Sequence, residues 1–371
     1  MERSKLYERY QRQIILPEFG EESQQKLLKA KVLVIGAGGL GCPVLQYLTA
    51  AGVGTIGIVD DDMVSLNNLH RQVIYTTNDI GLSKSETAAH VLQALNPDIK
   101  IIPYNERLTT QNAFSIMDDF NIVIDGTDNF STRYMINDAC VLLNKPLVYG
   151  AISQYEGQVA VFNAERNSGV NYRDLFPHPP KEDEVLNCAE AGVLGILPGI
   201  IGTMMANETI KLITGTGIPL INQLLTYNAL NNQVYIFNLS ASEETRLLMP
   251  KDETEFLKTD YVWLCSSSIP DMEIDIDAFK GLLEKGNTDI IDVRETHETP
   301  VINEFSTIKI PLSQLAANTG LIKSDTVVVF CQTGKRSLQA ARILSGIFEN
   351  RKKVFSLKGG IIQWKKQNQP A

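Results

Sequence analysis

A glycine-rich loop near the N-terminus of this chain separates a short apolar segment from a helical pattern. The apolar run 32–35 (Val-Leu-Val-Ile) has the composition of a buried strand and leads directly into 36–41 (Gly-Ala-Gly-Gly-Leu-Gly). Residues 40–51 then read as a helix that ends at Gly52, and a second apolar run, 55–59, ends at Asp60. This order predicts a βαβ unit in which the start of the helix binds the phosphates of a nucleotide.

The alternation of strand and helix patterns continues to about residue 240. Further buried strands are predicted at 122–125, 147–149 and 158–162. The spacing Ser83-x-x-Glu86 is that of a capping box, and it places Lys84 in the first turn of another helix. Together these elements predict an α/β fold with a Rossmann-like, doubly wound sheet. Residues 163–187, with three prolines and mixed charge, indicate a long crossover loop that could act as a lid.

Past Ser240 the composition changes and a second, smaller α/β pattern follows. Glu, Asp and Lys dominate around 241–258, and a Ser-Ser-Ser-Ile-Pro run at 266–270 is a further break. Short apolar runs at 290–293, 308–311, 327–330 and 354–357 predict the strands of the second pattern. We therefore expect a first domain over 1–240, a linker over 241–271 and a second domain over 272–371.

Composition and charge exclude several classes of protein. No apolar run is as long as a membrane span and the N-terminus lacks the apolar stretch of a secretory signal, so we expect a cytoplasmic protein without membrane association. The five cysteines form no C-x-x-C pair, which indicates free thiols. The net charge of −9 and the lack of a basic block argue against nucleic-acid binding.

The glycine loop alone permits two kinds of nucleotide chemistry. Gly36, Gly38 and Gly41 followed by Asp60 also match an NAD-binding domain, so an NAD-dependent oxidoreductase is one hypothesis. Adenylation needs cations on the phosphates, donors near the attacking carboxylate and an acid for Mg²⁺. Those residue types follow the second strand as Asn68, Arg71, Gln72 and Lys84, and Asp128 follows the predicted strand 122–125. This set favours adenylation, although Asp128 also fits an N-cap of the next helix.

With these motifs, the chain from about 5 to 240 resembles the MoeB/ThiF family. Members of that family are adenylyltransferases that activate ubiquitin-like sulfur carriers and are related to ubiquitin-activating enzymes. The resemblance rests on Arg9-Tyr10-x-Arg12-Gln13, the 36–41 loop, the 60–72 run, Gly81-x-x-Lys84, Thr127-Asp128-Asn129, and Cys188-Ala-Glu-Ala-Gly-Val193 leading into Pro198-Gly199.

The resemblance implies ATP as the nucleotide, magnesium at Asp128 and a homodimer in which Arg12 comes from the partner subunit. Without the resemblance, Arg12 would be interpreted as a solvated residue of an N-terminal helix. The nucleotide-binding residues implied are Gly36, Gly38, Gly39, Gly41, Asp60, Asp62, Asn68, Arg71, Gln72, Lys84, Asp128 and Asn129. The catalytic residues implied are Arg12, Arg71, Lys84, Asp128, Cys188 and, in the second domain, Cys331.

The second domain, over about 272–371, resembles a rhodanese. Cys331 lies between a predicted strand and a predicted helix, where backbone N–H groups and the positive helix end favour a thiolate and then a persulfide. The flanking motifs 292–295 and 357–364 also match, whereas residues 299–305 depart from the Gly-His-Ile-Pro-Gly sequence usual there. The expected persulfide loop is Cys331, Gln332, Thr333, Gly334, Lys335 and Arg336.

Both halves together predict one reaction sequence. The C-terminal carboxylate of a ubiquitin-like carrier ending in Gly-Gly attacks ATP, and the persulfide sulfur then converts the activated end into a thiocarboxylate. A cysteine desulfurase would supply the sulfur. Cys188 is either an acyl or acyl-disulfide intermediate or a small buried thiol, and the two interpretations carry equal weight.

Other hypotheses remain beside this one. The substrate of adenylation is alternatively a short peptide, and the chain is alternatively an NAD-dependent oxidoreductase or a non-catalytic scaffold that binds the carrier. The same motifs fit molybdopterin, thiamine and tRNA thiolation pathways. Many relatives bind zinc through two C-x-x-C pairs, but here Asn171 and Asp174 occupy the first pair and the second is absent, so we expect no zinc.

Overall fold

In the computed structural model the chain forms two compact units, residues 1–266 and 267–371. The structure describes all residues except 1–2, 166–168, 180–191, 262–263, 265–271, 296, 301, 303, 349–351 and 368–371, and no side chain of residues 3–7 is described.

Among the described residues of the first unit, eight strands form one sheet in the order β3-β2-β1-β4-β5-β6-β7-β8. The strands are β1 Lys31–Ile35, β2 Thr55–Val59, β3 Lys100–Tyr104, β4 Ile122–Asp125, β5 Leu147–Ser153, β6 Glu156–Phe162, β7 Gln223–Asn228 and β8 Gln233–Asn238. Strands β1 to β5 pair in parallel, and β5 to β8 pair antiparallel. The strand order reverses between β1 and β4, and such a switch point is where open α/β sheets bind ligands.

Helices cover both faces of this sheet because successive side chains of its central strands point to opposite sides. On β1, Val32 and Val34 belong to one apolar core, and Leu33 and Ile35 belong to the other. The helices are α1 Arg3–Ile14, α2 Gly20–Lys29, α3 Gly41–Ala51, α4 Lys84–Leu95, α5 Ala113–Met117, α6 Phe130–Leu142, α7 Tyr172–Leu175, α8 Leu197–Thr214, α9 Glu243–Arg246 and α10 Glu253–Lys258.

The glycines of the predicted βαβ unit permit close approach of the backbone. A Cβ atom on Gly41 would overlap the carbonyl oxygen of Gly36, so α3 can start directly against the loop only with glycine there. Gly52 adopts the left-handed conformation (φ 87°) that ends α3. Strand β1 and helix α3 therefore begin and end close to the predicted residues.

Part of the predicted linker packs on the first unit instead of running free. Phe256 of α10 is fully buried in the core beside α5 and α6. The hydroxyl of Tyr261 donates to Asp138 (2.8 Å), and Asp174 accepts hydrogen bonds from the N–H of Ser242 (3.0 Å) and from the hydroxyl of Thr245. The Glu- and Lys-rich composition of this segment reflects its exposed side, and its few apolar residues anchor it.

In the second unit, five parallel strands among the described residues follow the order β11-β10-β12-β13-β9. These strands are β9 Glu273–Ile274, β10 Thr288–Asp292, β11 Ile308–Lys309, β12 Thr326–Phe330 and β13 Lys353–Leu357. The helices are α11 Ile276–Lys285, α12 Lys335–Ile347 and α13 Gly360–Gln367. Phe279, Phe305 and Trp364 pack edge to face in its core.

The predicted α/β fold class is confirmed for both units. The strands β3, β7, β8 and β9 are additions that the sequence did not predict, whereas the proposed boundaries at 240 and 271 stay a prediction. No helix in the described part of the chain combines the length and apolar character needed to cross a bilayer.

Candidate functional site

An open cleft lies at the carboxyl ends of β1, β2 and β4, at the switch point of the first sheet. Its volume of about 1090 Å³ includes open solvent at its mouth, so it is a wide surface cleft. The sequence-predicted residues that line it are Gly36, Gly38, Gly39, Asp60, Asp62, Arg71, Gln72, Lys84, Asp128 and Asn129.

Asp60 joins the glycine loop to the segment after β2. One carboxylate oxygen accepts the N–H of Ala37 (2.7 Å), and the other accepts the N–H of Asp62 (2.9 Å). Burial raises the pKa of the Asp60 carboxyl, and the hydrogen bond from Ala37 opposes this shift. Each oxygen has a second lone pair for a ligand hydroxyl, so this acid both shapes the loop and borders the cleft.

Two cations border the cleft on the segment that follows β2. The buried Nζ of Lys84, on the first residue of α4, lies 2.8 Å from the carboxylate of the exposed Asp62. Arg71 donates to the carbonyl of Asn67 (2.8 Å), and its Nη1 lies 2.9 Å from Nε2 of His70. These contacts hold the charged ends of both side chains, and both residues border the same cleft.

Gln72 presents a buried amide at the glycine loop. Its side chain is 4 % exposed, and its Oε1 has no hydrogen-bond partner among the described residues. Buried amide oxygens in folded proteins nearly always have a donor. An N–H or O–H group of a ligand bound in this cleft would satisfy that atom.

The loop after β4 holds Asp128 open to the cleft. Asp125, fully buried, accepts the N–H (2.9 Å) and the hydroxyl (2.6 Å) of Thr127, and burial raises the pKa of Asp125. Arg133 donates to the carbonyl of Thr127 (2.7 Å). Asp128 is exposed and makes no hydrogen bond or ion pair with any described residue.

The N-cap interpretation of Asp128 is wrong. Asn129 caps α6, because its side chain accepts the N–H of Thr132 at 2.9 Å. Helix α6 begins at Phe130, one residue later than a cap at Asp128 would require, so the cap position falls at Asn129 and the carboxylate of Asp128 is left unused.

Several residues at the cleft were not predicted from the sequence. The loop after β3 contributes Glu106, Arg107 and Leu108, and β5 contributes Ile152. Because β3 was not recognised, the loop that follows it could not be placed at this edge of the sheet. Arg133 was missed too, although its spacing from Thr127 places it on the first turns of the following helix.

Four predicted residues do not line the cleft of the described chain. Gly41 packs against Gly36, and Asn68 is buried in a turn where its Oδ1 accepts the N–H of Ser65 (3.3 Å). Arg12 is exposed on α1 and is not among the residues bordering the cleft. Cys188 lies outside the described residues.

A second candidate site lies in the second unit, where Cys331 follows β12. The thiol is buried, and its Sγ accepts the N–H of Gly334 at 3.2 Å in the loop that opens α12. Arg336, in the first turn of α12, donates two hydrogen bonds to Glu298, at 2.6 and 2.7 Å, and lowers the pKa of Glu298 to about 2. The N–H of Gly334 and the start of α12 place positive partial charge beside this sulfur.

The other described cysteines differ from Cys331 in their surroundings. Cys42 and Cys140 are also free thiols, but each is enclosed by the core of the first unit. Burial raises the pKa of Cys42 to about 12 and that of Cys140 still further. Neither side chain is therefore suited to nucleophilic chemistry at neutral pH.

Asn171 and Asp174 are bound to each other and to the segment after β8. Asp174 accepts the N–H and the side-chain amide of Asn171 (2.9 and 2.8 Å). Within the described ranges, no three His, Cys, Asp or Glu side chains are grouped so as to hold a metal ion.

Comparison with family models agrees with the two-unit architecture. A model described as the ThiF family matches residues 10–248, and one described as a rhodanese-like domain matches residues 275–367.

Three curated relatives extend this likeness. The probable adenylyltransferase/sulfurtransferase MoeZ of Mycobacterium tuberculosis is 42 % identical, over 98 % of this chain and 93 % of its own. The adenylyltransferase and sulfurtransferase MOCS3 of Culex quinquefasciatus is 39 % identical, over 92 % of this chain and 83 % of its own. The sulfur carrier protein adenylyltransferase of Thermus thermophilus is 54 % identical over 60 % of this chain and 83 % of its own.

Solved structures share the fold of the first unit. The crystal structure of E. coli MccB has a TM-score of 0.56 at 19 % identity, covering 63 % of this chain and 70 % of its own. That of PaaA has a TM-score of 0.54 at 21 % identity, covering 65 % of this chain and 76 % of its own. At this identity the likeness establishes the fold alone.

Proposed function

Because this chain belongs to the ThiF family and continues into a rhodanese-like domain, we propose that it is an adenylyltransferase with an associated sulfurtransferase. Its substrate is the C-terminal carboxylate of a ubiquitin-like sulfur carrier that ends in Gly-Gly. The proposal is supported by relatives named for both activities, of which MoeZ is matched over 98 % of this chain.

The observation that carries the proposal is the composition of the cleft. Lys84, Arg71 and the open carboxylate of Asp128 all border it, around a glycine loop at the switch point. Hydride transfer would not need two cations and an unpaired acid beside the loop. Transfer of a nucleotidyl group needs all three, because charge develops on the phosphates and the leaving group.

In the adenylation step, the carrier carboxylate attacks the α-phosphorus of ATP. One oxygen of the carboxylate forms the new bond to the α-phosphorus. The bond from the α-phosphorus to the oxygen that links it to the β-phosphorus breaks. Pyrophosphate leaves with the electron pair, and the carrier remains as an acyl-adenylate. Lys84 and Arg71 would stabilise the charge on the phosphates, and Asp60 and the glycine loop would hold the adenosine end.

Asp128 would be the protein ligand of a magnesium ion bound in the cleft. Magnesium is commonly bound through one or two carboxylates together with substrate phosphates and water, so a single open carboxylate is a sufficient protein ligand. A bound magnesium ion would neutralise charge on the phosphates. Asp125 and Arg133 hold Thr127 in place by hydrogen bonds, and this determines the position of the next residue, Asp128.

In the sulfur-transfer step, Cys331 carries the sulfur as a persulfide. Its thiolate attacks the outer sulfur of a donor such as the persulfide of a cysteine desulfurase, and the thiol of the donor leaves. The terminal sulfur on Cys331 then attacks the acyl-adenylate, AMP leaves, and an acyl disulfide forms. A further thiol attacks Sγ of Cys331 and releases the carrier thiocarboxylate, leaving a disulfide that a dithiol reductant opens.

Cys188 is a candidate for a covalent acyl or acyl-disulfide intermediate in this step. If it forms this intermediate, Cys188→Ala abolishes thiocarboxylate formation and leaves adenylation intact. Full sulfur transfer by this variant would remove Cys188 from the reaction and leave the simple buried-thiol interpretation.

We also propose a homodimer in which Arg12 reaches the cleft of the second copy. The exposure of Arg12 and its absence from the cleft lining of its own chain support this arrangement.

The test is ATP–pyrophosphate exchange by the purified protein with each candidate carrier ending in Gly-Gly. We expect exchange with one carrier and its loss in Asp128→Ala, with Asp119→Ala, an exposed aspartate outside the cleft, as the matched control.

Three other results would contradict the proposal. Exchange with a short peptide alone would favour the peptide substrate. NADH binding without exchange would favour an oxidoreductase. Tight binding of a carrier without exchange would favour a scaffold.

A further inference from the structure

The glycine pair 359–360 lies against the loop that starts at Cys331. Helix α13 starts at Gly360, and two N–H groups of its first turn donate to carbonyl oxygens of the loop. Ile361 donates to Cys331 at 2.9 Å, and Ile362 donates to Gln332 at 3.2 Å. The first N–H groups of a helix have no partner within it, so the loop carbonyls satisfy both.

These two bonds set the orientation of the loop peptides. In a trans peptide the carbonyl oxygen and the N–H of the next residue point in opposite directions. With the carbonyls of Cys331 and Gln332 turned toward α13, the N–H groups of Gln332 and Thr333 face the other way, into the loop. The N–H of Gly334 already donates to Sγ of Cys331 at 3.2 Å.

The contact between helix and loop has no room for a side chain at Gly360. A Cβ atom there would lie 2.5 Å from the carbonyl oxygen of Cys331 and 2.8 Å from that of Gln332. The neighbouring Gly359 is different: its nearest contacts would be with the side chain of Gln363, on α13 itself. Both glycines have positive φ, 71° at Gly359 and 58° at Gly360, so substitution strains the backbone similarly at each.

We propose that Gly360 is a positioning residue for the sulfur chemistry of Cys331. Its missing side chain lets α13 hold the carbonyls of Cys331 and Gln332, which keeps the loop in the conformation in which the N–H of Gly334 donates to Sγ of Cys331. This role rests on the proposed function, in which Cys331 forms a persulfide. In this proposal Gly360 positions the loop of the Cys331 thiol, and Gly359 serves only the packing of α13.

The test compares Gly360→Ala with Gly359→Ala in the full-length protein. The rate at which iodoacetamide alkylates Cys331 is followed across pH by mass spectrometry of the peptide that contains it. We expect alkylation at pH 7 to slow by about tenfold in Gly360→Ala and its profile to move to higher pH, because fewer N–H groups stabilise the thiolate. Gly359→Ala, which carries similar strain, should stay within about twofold of the wild type. Equal changes in both variants, or none in Gly360→Ala, would overturn the proposal.

A second variant serves if Gly360→Ala does not fold by circular dichroism. Ile362→Pro removes one of the two donors at an exposed position, and proline is tolerated in the first turn of a helix. We expect alkylation to slow by about threefold, since one of two bonds is lost. An unchanged pH profile in a folded Ile362→Pro protein would overturn the proposal.

Sulfur loading separates this proposal from the function on which it rests. Wild-type protein is incubated with thiosulfate or with a cysteine desulfurase and cysteine, and sulfur on Cys331 is measured by cyanolysis. If the wild type takes up no sulfur from either donor, the proposed persulfide chemistry fails. The alkylation profiles would still decide whether Gly360 positions the loop.

Discussion

Asp125 accepts both the backbone N–H and the side-chain hydroxyl of Thr127, at 2.9 and 2.6 Å. The aspartate is fully buried at the end of β4, so this pair ties the first exposed turn of the cleft to the centre of the sheet. The next residue is Asp128, whose carboxylate is open. The buried carboxylate of Asp125 therefore determines the position of the exposed carboxylate of Asp128.

Thr127→Val tests this relationship, because valine keeps the shape of threonine and loses its hydroxyl. We expect the free energy of unfolding to fall by about 1–2 kcal/mol, since Asp125 loses one of its donors while it stays buried. Exchange of pyrophosphate into ATP should fall roughly tenfold as Asp128 shifts. Urea unfolding and the exchange assay check both effects, with the exposed Thr77→Val as control. Normal exchange in a Thr127→Val protein would show that the position of Asp128 does not depend on the hydrogen bond from the Thr127 hydroxyl to Asp125.

Lys84→Met should remove phosphate stabilisation with little effect on folding. The partner of Lys84 is Asp62, whose side chain is 69 % exposed, so the variant leaves no buried unpaired charge. We expect pyrophosphate exchange to fall by about 100-fold or more and the melting temperature to change little. Lys29→Met, at an exposed position on α2, is the matched control. If Lys84→Met loses no more exchange activity than Lys29→Met, Lys84 does not stabilise the phosphates.

Mixing two inactive variants tests the shared site. Arg12→Ala and Asp128→Ala proteins should each lack exchange. In a dimer with one subunit of each kind, one cleft carries both changes and the other carries neither. After subunit exchange we expect about a quarter of the wild-type activity to return, the statistical share of intact clefts. If Arg12 acts within its own chain, every cleft keeps one defect and mixing restores nothing.

Glu298→Gln should destabilise the second unit in a pH-dependent way. Arg336 lowers the pKa of Glu298 from its ordinary value of 4.5 to about 2. A carboxyl with a lowered pKa stabilises the folded state above its ordinary pKa, and this contribution is lost as the pH falls toward the lowered value.

The Glu298 side chain is 22 % exposed and that of Arg336 is 37 %, so we expect only about 1 kcal/mol at pH 7. The difference in unfolding free energy between wild type and variant should shrink between pH 4.5 and pH 2. Urea denaturation at several pH values measures it, with Glu284→Gln on α11 as control. A difference that stays constant over this range would contradict the assigned pKa.

Zinc content is the last prediction. Asn171 and Asp174 form a hydrogen-bonded pair where many relatives carry two zinc ligands. We expect less than stoichiometric zinc by elemental analysis and no change in melting temperature on treatment with EDTA. One zinc ion per chain would refute this.

The sequence predicted those elements whose local pattern and tertiary environment agree. The βαβ unit around 36–41 was found because its strands are buried on both faces and its glycines are required by close backbone contacts. Strands β7 and β8 were missed, and they lie outside the buried centre of the sheet: β7 is only partly buried, and β8 is exposed along its whole length although its residues 234–237 are apolar.

Missed strands also hid parts of the candidate site. Glu106 and Arg107 reach the cleft only because β3 pairs with β2, and β3 contains Pro103 and an exposed Lys100 at its start. Asn129, and not Asp128, is the N-cap of α6, because its side chain accepts the N–H of Thr132. The two alternatives differ by a single residue in where α6 begins. Spacing alone does not resolve such a difference, because helix ends vary by one or two residues.

The anchoring of residues 242–261 bears on how the first unit should be isolated. A polypeptide ending at Ser240 would lack Phe256 and Tyr261, exposing the apolar surface that Phe256 covers and depriving Asp138 of the Tyr261 hydroxyl. Asp174 would also lose its donors at Ser242 and Thr245. A soluble adenylylating fragment should therefore extend beyond Tyr261, and a shorter one should aggregate for reasons unrelated to its chemistry.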